Sequence, residues 1–243
     1  PSFRTQLLSE EPVLDTNPFM RQVFKRFNDL FIMGDKPDYE PKPESSVAEM
    51  AKTRGIDPME LCLDVMTAGD GKAMIYYTFL NYADYSLDPS LEMMLHPDTV
   101  LGLGDGGAHC GTICDGSFTT YMLTHWVRDR SRGERLPLPW VIKAHCQDTA
   151  KAVGLLDRGV LAQGYKADIN IIDFEAMELH RPEVHHDLPA GGRRLMQFAD
   201  GYVATIVSGK VVYQDGQSTG ARPGRLVRGN QPSPVKFSGS IVA

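Results

Sequence analysis

The sequence has little cysteine, no long apolar run and no excess of basic charge. Its four cysteines are too few and too scattered for a disulfide framework in 243 residues, so reduced thiols in a cytoplasmic protein are expected. No run of about 18 apolar residues could span a bilayer, and no segment has the pattern of a signal peptide. The net charge of -6 argues against nucleic-acid binding, which favours a basic surface. A small solute or a protein partner is favoured instead.

Helix signals recur through the first 155 residues. The predicted helices, each placed by a cap, a proline at the first position or apolar periodicity, cover residues 19–27, 47–50, 59–66, 87–95, 118–130 and 140–153. Between them, the aromatic run Ala73–Phe79 predicts a strand. The short apolar run 99–103 predicts a buried parallel strand. This alternation of helices and strands is typical of an α/β protein.

The character of the chain changes near residue 155. Glycines then punctuate short β-type runs, of which 167–172 and 204–213 are the clearest, and the second predicts a hairpin that turns at Ser208-Gly209. Two domains are therefore predicted, residues 1–155 and residues 156–243.

The most informative residue follows the predicted strand 99–103. Asp105 lies in the segment Gly104-Asp105-Gly-Gly-Ala-His109, and a carboxylate placed just after a buried parallel strand sits where α/β proteins build their active sites. Glycines beside it allow close approach of a ligand to the backbone. The same residues also fit an ordinary Asp-Gly turn, and spacing alone favours the turn.

Four motifs, taken in order, change that balance. They are Asp105-Gly-Gly-Ala-His109, Thr124-His-Trp-Val-Arg-Asp-Arg130, the segment from Gly154 to Asp173, and Gly220-Ala-Arg-Pro-Gly-Arg-Leu-Val-Arg-Gly229. Together they resemble the C-terminal part of the D-aminoacylase (N-acyl-D-amino-acid deacylase) branch of the amidohydrolase superfamily. The resemblance extends to about residue 230. The Gly154–Asp173 segment marks the superfamily, and the first two motifs are more specific to the branch.

The resemblance implies a fold, a cofactor and a reaction. The fold would be the last part of a (β/α)8 barrel followed by strands of a small β-sandwich. Zinc, held by histidines and a cysteine upstream, would activate a water that attacks an N-acyl amino acid. Asp105 matches the aspartate that takes the proton from this water and passes it to the leaving amine, and it is also a candidate weak metal ligand. His109 is a candidate substrate-binding residue at the mouth of the site.

Two departures from the family pattern bear on this reading. The residue before the aspartate is often serine in the family and is Gly104 here, which leaves the carboxylate in place. The metal-binding His-x-His pattern does not occur upstream of Asp105, and the first residue is Pro1. We therefore expect the chain to be an inactive C-terminal piece without its own zinc, and we expect unpaired strand edges to promote self-association.

Other reactive side chains have simpler explanations. Cys110 and Cys114 could suggest a metal site, but zinc normally needs four ligands, and small buried thiols are favoured. His125 is read as a packed histidine. The basic run Arg128, Arg130 and Arg132 could attract a substrate carboxylate, although a solvated helix end or ion pairs with Asp129 and Glu134 are favoured.

Two alternatives to a linear-amide hydrolase stay open. The chain could be a non-catalytic module that keeps the amidohydrolase framework without its chemistry. It could also belong to a cyclic-amide hydrolase of the dihydroorotase or hydantoinase type, which the branch-specific motifs oppose.

Overall fold

The computed structural model describes residues 2–10, 25–102, 104 and 110–234. The chain forms two compact units, residues 1–91 and residues 92–243. Asp105, His109 and most of the helix predicted at 19–27 lie outside the described residues. The described part contains both helices and strands, which confirms a mixed α/β protein. None of its helices is long and apolar enough to cross a membrane.

The first unit combines helices with a two-stranded sheet. Its elements, in chain order, are α1 (Ser2–Ser9), a 3-10 turn (Phe27–Asp29), β1 (Leu30–Ile32), a 3-10 turn (Pro43–Ser45), α2 (Val47–Arg54), α3 (Pro58–Thr67), β2 (Ile75–Tyr77) and a 3-10 turn (Ala83–Tyr85). Helix α4 (Asp88–Leu95) follows and crosses into the second unit.

The helix starts follow the capping signals in the sequence. Ser46 Oγ accepts a 3.3 Å hydrogen bond from the backbone N–H of Glu49 at the start of α2. The Asp57 carboxylate accepts one of 2.8 Å from the N–H of Met59 at the start of α3. Each bond satisfies a backbone donor that the first turn leaves unpaired. The predicted starts of both helices are confirmed.

The core of the first unit lies between α2, α3 and the sheet. Strands β1 and β2 pair antiparallel, with Leu30 opposite Tyr77 and Ile32 opposite Ile75. The buried residues of this core are Val47, Ala51, Leu61 and Cys62, and the side chains packed against them include Leu30, Ile32 and Ile75.

Two helical segments open the second unit. Helix α5 (Phe118–Tyr121) continues as wider π-helical turns over Met122–Asp129. Helix α6 (Leu138–Ile142) continues through π-helical turns over Lys143–Asp148 into α7 (Thr149–Ala152). The helices predicted at 118–130 and 140–153 are therefore confirmed.

Strands dominate the second unit from residue 169 onward. They are β3 (Ile169–Ile172), β4 (Glu178–Leu179), β5 (Glu183–Leu188), β6 (Gly192–Met196), β7 (Ala199–Asp200), β8 (Tyr202–Val207), β9 (Lys210–Gln214) and β10 (Gln217–Ser218). They form a four-stranded sheet in the order β10-β9-β8-β3 and two separate pairs, β4-β7 and β5-β6.

The predicted hairpin joins β8 to β9. Ser208 and Gly209 both have positive φ, 50° and 76°, as a two-residue hairpin turn requires. The Asp168 carboxylate accepts a 2.8 Å hydrogen bond from the N–H of Ser208 and ties this turn to the start of β3. Burial opposes ionisation of Asp168, but Lys166 and the Ser208 N–H outweigh it and lower the pKa of the carboxyl. Asp168 stands at the edge of a predicted strand, where a turn-forming rather than a catalytic role is expected from the sequence, and its bond to Ser208 in the hairpin turn fits that expectation.

Two local predictions were wrong. Residues 99–102 form no strand, and Val100 is 53% exposed. A run this short carries no periodicity that separates a strand from an apolar loop, and a strand needs a neighbour to pair with. The sequence also suggests that His185 and His186 lie in an exposed loop of the β-rich part, whereas both residues lie in β5.

The predicted barrel is not seen in the described residues. Their paired strands all run antiparallel to each other, whereas barrel strands run parallel. The predicted domain boundary at residue 155 stays a prediction.

Candidate functional site

The residues on either side of the 105–109 segment are held within the second unit. A Cβ on Gly104 would lie 3.0 Å and 3.1 Å from the Phe118 ring atoms Cε1 and Cδ1, so this backbone lies directly against the ring. On the other side, the carbonyl of Cys110 accepts a 2.7 Å hydrogen bond from the N–H of Leu195 in β6. Gly104 is thus held beside a helix start, and Cys110 is held beside a strand.

The helix start beside Gly104 is itself fixed. The N–H of Phe118 donates a 3.1 Å hydrogen bond to the Asp115 carbonyl. Ser117 Oγ donates a short hydrogen bond to the side-chain oxygen of Gln197, whose amide donates a 2.8 Å bond to the carbonyl of His180. One turn further on, Thr120 Oγ1 and Tyr202 Oη lie 2.8 Å apart. These contacts join the helix to the β-rich part of the same unit.

His125 packs within its own helix. Its ring stacks on Tyr121, with centroids 4.6 Å apart and 8° between the planes, and meets the Trp126 ring edge-on at 5.6 Å. The reading of His125 as a packed histidine is confirmed.

The arginines of the basic run are engaged in structure. The Arg128 guanidinium donates to the backbone carbonyls of Phe174 and Met177 at 2.6 Å and 2.7 Å, and its bonds to Asp129 raise its pKa. The favoured ion pair with Asp129 is therefore confirmed.

Arg130 is buried, with 1% of its surface exposed, and stacks over Trp126 at 4.6 Å. It donates to the backbone carbonyl of Glu134 at 2.9 Å. This cation is therefore enclosed by packing, which corrects the expectation of a solvated helix end at this residue.

The cysteines and the other candidate ligands do not form a metal group in the part of the chain that the structure describes. Cys110 and Cys114 are half-buried free thiols, and burial raises the pKa of Cys114. No three His, Cys, Asp or Glu side chains among the described residues lie close enough to hold a metal ion. The described residues therefore do not supply the ligand set that the zinc implied by the resemblance would need.

His145 was not singled out from the sequence. Its ring stacks on Phe118 with centroids 5.6 Å apart and 27° between the planes. Its Nε2 atom is buried and has no hydrogen-bond partner among the described residues. Burial also lowers the pKa of this imidazole. The sequence around His145 does not indicate this packing, because the partner ring, Phe118, belongs to another helical segment.

The first unit has a polar depression of about 410 Å³ beside the start of β1, lined by Arg26, Asn28, Asp29, Tyr82, Asp84 and Tyr85. Arg26 pairs with Asp29 at 2.6 Å. The Tyr82 hydroxyl donates to the Pro41 carbonyl at 2.5 Å, and Tyr85 donates to the Asn28 carbonyl at 3.3 Å. Most of the lining groups are therefore already bonded within the protein, so we assign the depression a structural role.

Comparison with known proteins gives one finding on family. A model described as the amidohydrolase family matches residues 15–213, which include the 105–109 segment. No curated protein and no solved structure matches the chain.

Proposed function

The chain belongs to the amidohydrolase family, and from that premise we propose that its protein hydrolyses the amide bond of N-acyl-D-amino acids. Family membership supports hydrolysis in general. The match spans the Asp105 motif, and this is the observation that carries the proposal. The narrower choice of substrate is supported by the branch-specific sequences Asp105-Gly-Gly-Ala-His109 and Thr124-His-Trp126.

Asp105 is the proposed proton-transferring group. Water attacks the acyl carbon, and the Asp105 carboxylate accepts the proton that the water loses. The protonated Asp105 side chain then donates this proton to the nitrogen as the C–N bond breaks, which releases a carboxylic acid and an amine; these exchange the remaining proton of the water to become a carboxylate and an ammonium ion. A positioned carboxylate of this kind contributes roughly 10²–10⁴-fold to the rate. His109 is proposed to contact the substrate at the mouth of the site.

A zinc requirement is part of the proposal and belongs to the complete protein. When bound, zinc lowers the pKa of its water to about 7, and its ligands would come from outside the residues that the structure describes. The proposed fold for residues 1–155 remains the closing part of a (β/α)8 barrel. A cytoplasmic location is likewise a proposal.

A substrate panel tests this function. The complete protein, stripped of metal and then reloaded with zinc, is assayed for amine release from N-acetyl-D-amino acids and their L-enantiomers, and for ring opening of dihydroorotate and a hydantoin to the carbamoyl amino acid. We expect zinc-dependent amine release from the D-series, with less from the L-series, and no ring opening of the cyclic amides. Turnover of a cyclic amide alone would favour the cyclic-amide alternative. No turnover, with no stoichiometric zinc, would favour the non-catalytic alternative.

A further inference from the structure

The chain contains no acidic residue after Asp215. Residues 216–243 hold three arginines and one lysine but neither aspartate nor glutamate, although the whole chain has a net charge of -6. The arginines, Arg222, Arg225 and Arg228, belong to the fourth of the motifs that carry the family resemblance, and the proposed reaction makes no use of them. Positive charge is therefore concentrated in one segment of an acidic protein.

This arginine segment, residues 219–230, is attached to the second unit at both ends. At its start, the N–H of Thr219 donates a 3.0 Å hydrogen bond to the carbonyl of Val212 in β9. Just beyond its end, the N–H of Gln231 donates a 2.9 Å bond to the carbonyl of Gly154. The two attachments limit the conformations of the segment before a partner arrives, which reduces the entropy that binding would cost.

Between its attachments the arginine segment is exposed and makes few contacts. It contains no helix or strand, and its three arginine side chains are exposed. Residues 222–228 have no hydrogen bond or ion pair with any other residue that the structure describes. Leu226 and Val227 are also exposed, at 78% and 41%. The segment therefore offers guanidinium groups, backbone N–H and C=O groups and apolar side chains together.

Other cationic side chains of the second unit have carboxylate partners. Lys143 pairs with Asp148 at 2.6 Å, and Arg194 pairs with Asp187 at 2.6 Å. The arginine segment has no carboxylate of its own, and none from the described residues reaches it. Its charge is therefore available to a group outside this chain.

We propose that the arginine segment binds an extended acidic segment of a protein partner. A guanidinium can donate two parallel hydrogen bonds to one carboxylate, and an extended partner can present several carboxylates along residues 222–228. The backbone groups there can pair with the partner's main chain, as they do when a peptide adds as a strand. Leu226 and Val227 supply apolar contacts between the charged ones.

A protein segment matches these groups better than a nucleic acid does. Contacts to phosphates use cationic groups, so a phosphate backbone would leave the exposed apolar side chains of the segment without a counterpart. The net charge of -6 also opposes the approach of a densely charged polyanion more than that of a peptide with a few carboxylates.

Fluorescence anisotropy with defined peptides tests the proposal. The complete protein is titrated into a labelled peptide of about ten residues that alternates glutamate with valine, a pattern that favours an extended chain. A peptide with glutamine in place of glutamate is the uncharged control. We expect the acidic peptide to bind at least about tenfold more tightly than the glutamine peptide, and its affinity to fall as the salt concentration rises.

Neutralising the three arginines should remove this binding. The variant with Arg222→Gln, Arg225→Gln and Arg228→Gln together should bind the acidic peptide at least about tenfold more weakly. Its Tm should change by less than about 2 °C, because these side chains have no partner among the described residues. Leu226→Ser alone should weaken binding about threefold, which charge attraction by itself would not produce.

A matched variant separates the segment from overall charge. Lys36→Gln, Lys42→Gln and Arg54→Gln together remove the same charge from exposed side chains of the first unit, and they should weaken binding by less than about twofold. The proposal is overturned if the acidic peptide does not bind or if both triple variants lose the same affinity. It is also overturned if a single-stranded oligonucleotide of equal charge binds more tightly than the peptide. None of these measurements depends on amine release, so they stand whether or not the proposed hydrolysis is found.

Discussion

The Arg128 guanidinium donates a 2.7 Å hydrogen bond to the backbone carbonyl of Met177 and a 2.6 Å bond to that of Phe174. The guanidinium carbon of Arg128, Cζ, also lies 5.7 Å from the centre of the Phe174 ring. One side chain from the helical segment that begins with α5 thus holds the loop between β3 and β4. Carbonyl oxygens in such a loop need donors, and a guanidinium supplies several in one plane.

Arg128→Met should therefore destabilise the protein. It keeps much of the aliphatic length but removes the donors, and hydrogen bonds to a charged group contribute about 1.5–3 kcal/mol. We expect the free energy of unfolding, measured by urea denaturation, to fall by about 2 kcal/mol. Arg194→Met is the matched control, because Arg194 pairs with Asp187 on the surface. A loss no larger than that of the control would contradict the account of Arg128.

Stability should depend on the protonation of His145. Burial lowers the pKa of this imidazole in the folded protein, while the unfolded chain has a value of about 6.5. Below about pH 6.5 the unfolded state therefore binds more protons than the folded state, and the free energy of unfolding falls as the pH falls. This contribution changes by at most about 1.4 kcal/mol per pH unit.

His145→Phe should remove that contribution. Urea denaturation of the unchanged protein and of the variant at several pH values between 8 and 5 measures the difference. The gap between their unfolding free energies should widen in favour of the variant as the pH falls below about 6.5. Two curves that stay parallel over this range would contradict the buried, neutral assignment of His145.

Self-association is the prediction that follows from the open sheet edges. Strands β1 and β2 form a sheet of two strands among the described residues, as do β5 and β6. The residues after β2, Phe79 and Leu80, are 49% and 72% exposed. Unpaired edges with apolar neighbours promote pairing with another copy. Sedimentation velocity of this chain at micromolar concentration should show species larger than a monomer, and a single compact monomer peak would contradict the prediction.

Local structure could be predicted where one residue and its near neighbours decide the outcome. Ser46 and Asp57 place two helix starts because each side chain bonds a backbone N–H within three residues. Ser208-Gly209 places the hairpin turn because only certain residues adopt its positive φ angles readily. The packed role of His125 belongs to the same class, since Tyr121 lies four residues away on the same helix face.

Contacts between distant segments could not be predicted in this way. Arg128 and Phe174 are 46 residues apart, and nothing in either segment indicates the other. The same holds for His145 and Phe118, which face each other from different helical segments. The strand predicted from residue 99 onward was wrong for a related reason. An apolar run becomes a strand only when another strand pairs with it, and the sequence does not specify that partner.

The candidate site was predicted from family resemblance rather than from local pattern. Asp105 in isolation fits a simple turn, and only the ordered motifs around it favour catalysis. The structure contributes the flanking contacts, Gly104 against Phe118 and Cys110 against Leu195. These contacts hold Gly104 and Cys110, the described residues on either side of the 105–109 segment.

Replacement of Asp105 tests the central claim most directly. The complete zinc-loaded protein and its Asp105→Asn variant are assayed for amine release from the best N-acyl-D-amino acid, with Asp98→Asn as the control, because Asp98 is a nearby aspartate whose side chain is 90% exposed. Loss of the proton-transferring carboxylate should lower kcat about 10²–10⁴-fold without lowering Tm, and the control should keep full activity. Equal activity of the Asp105→Asn variant and the control would contradict the assignment of Asp105 as the catalytic group.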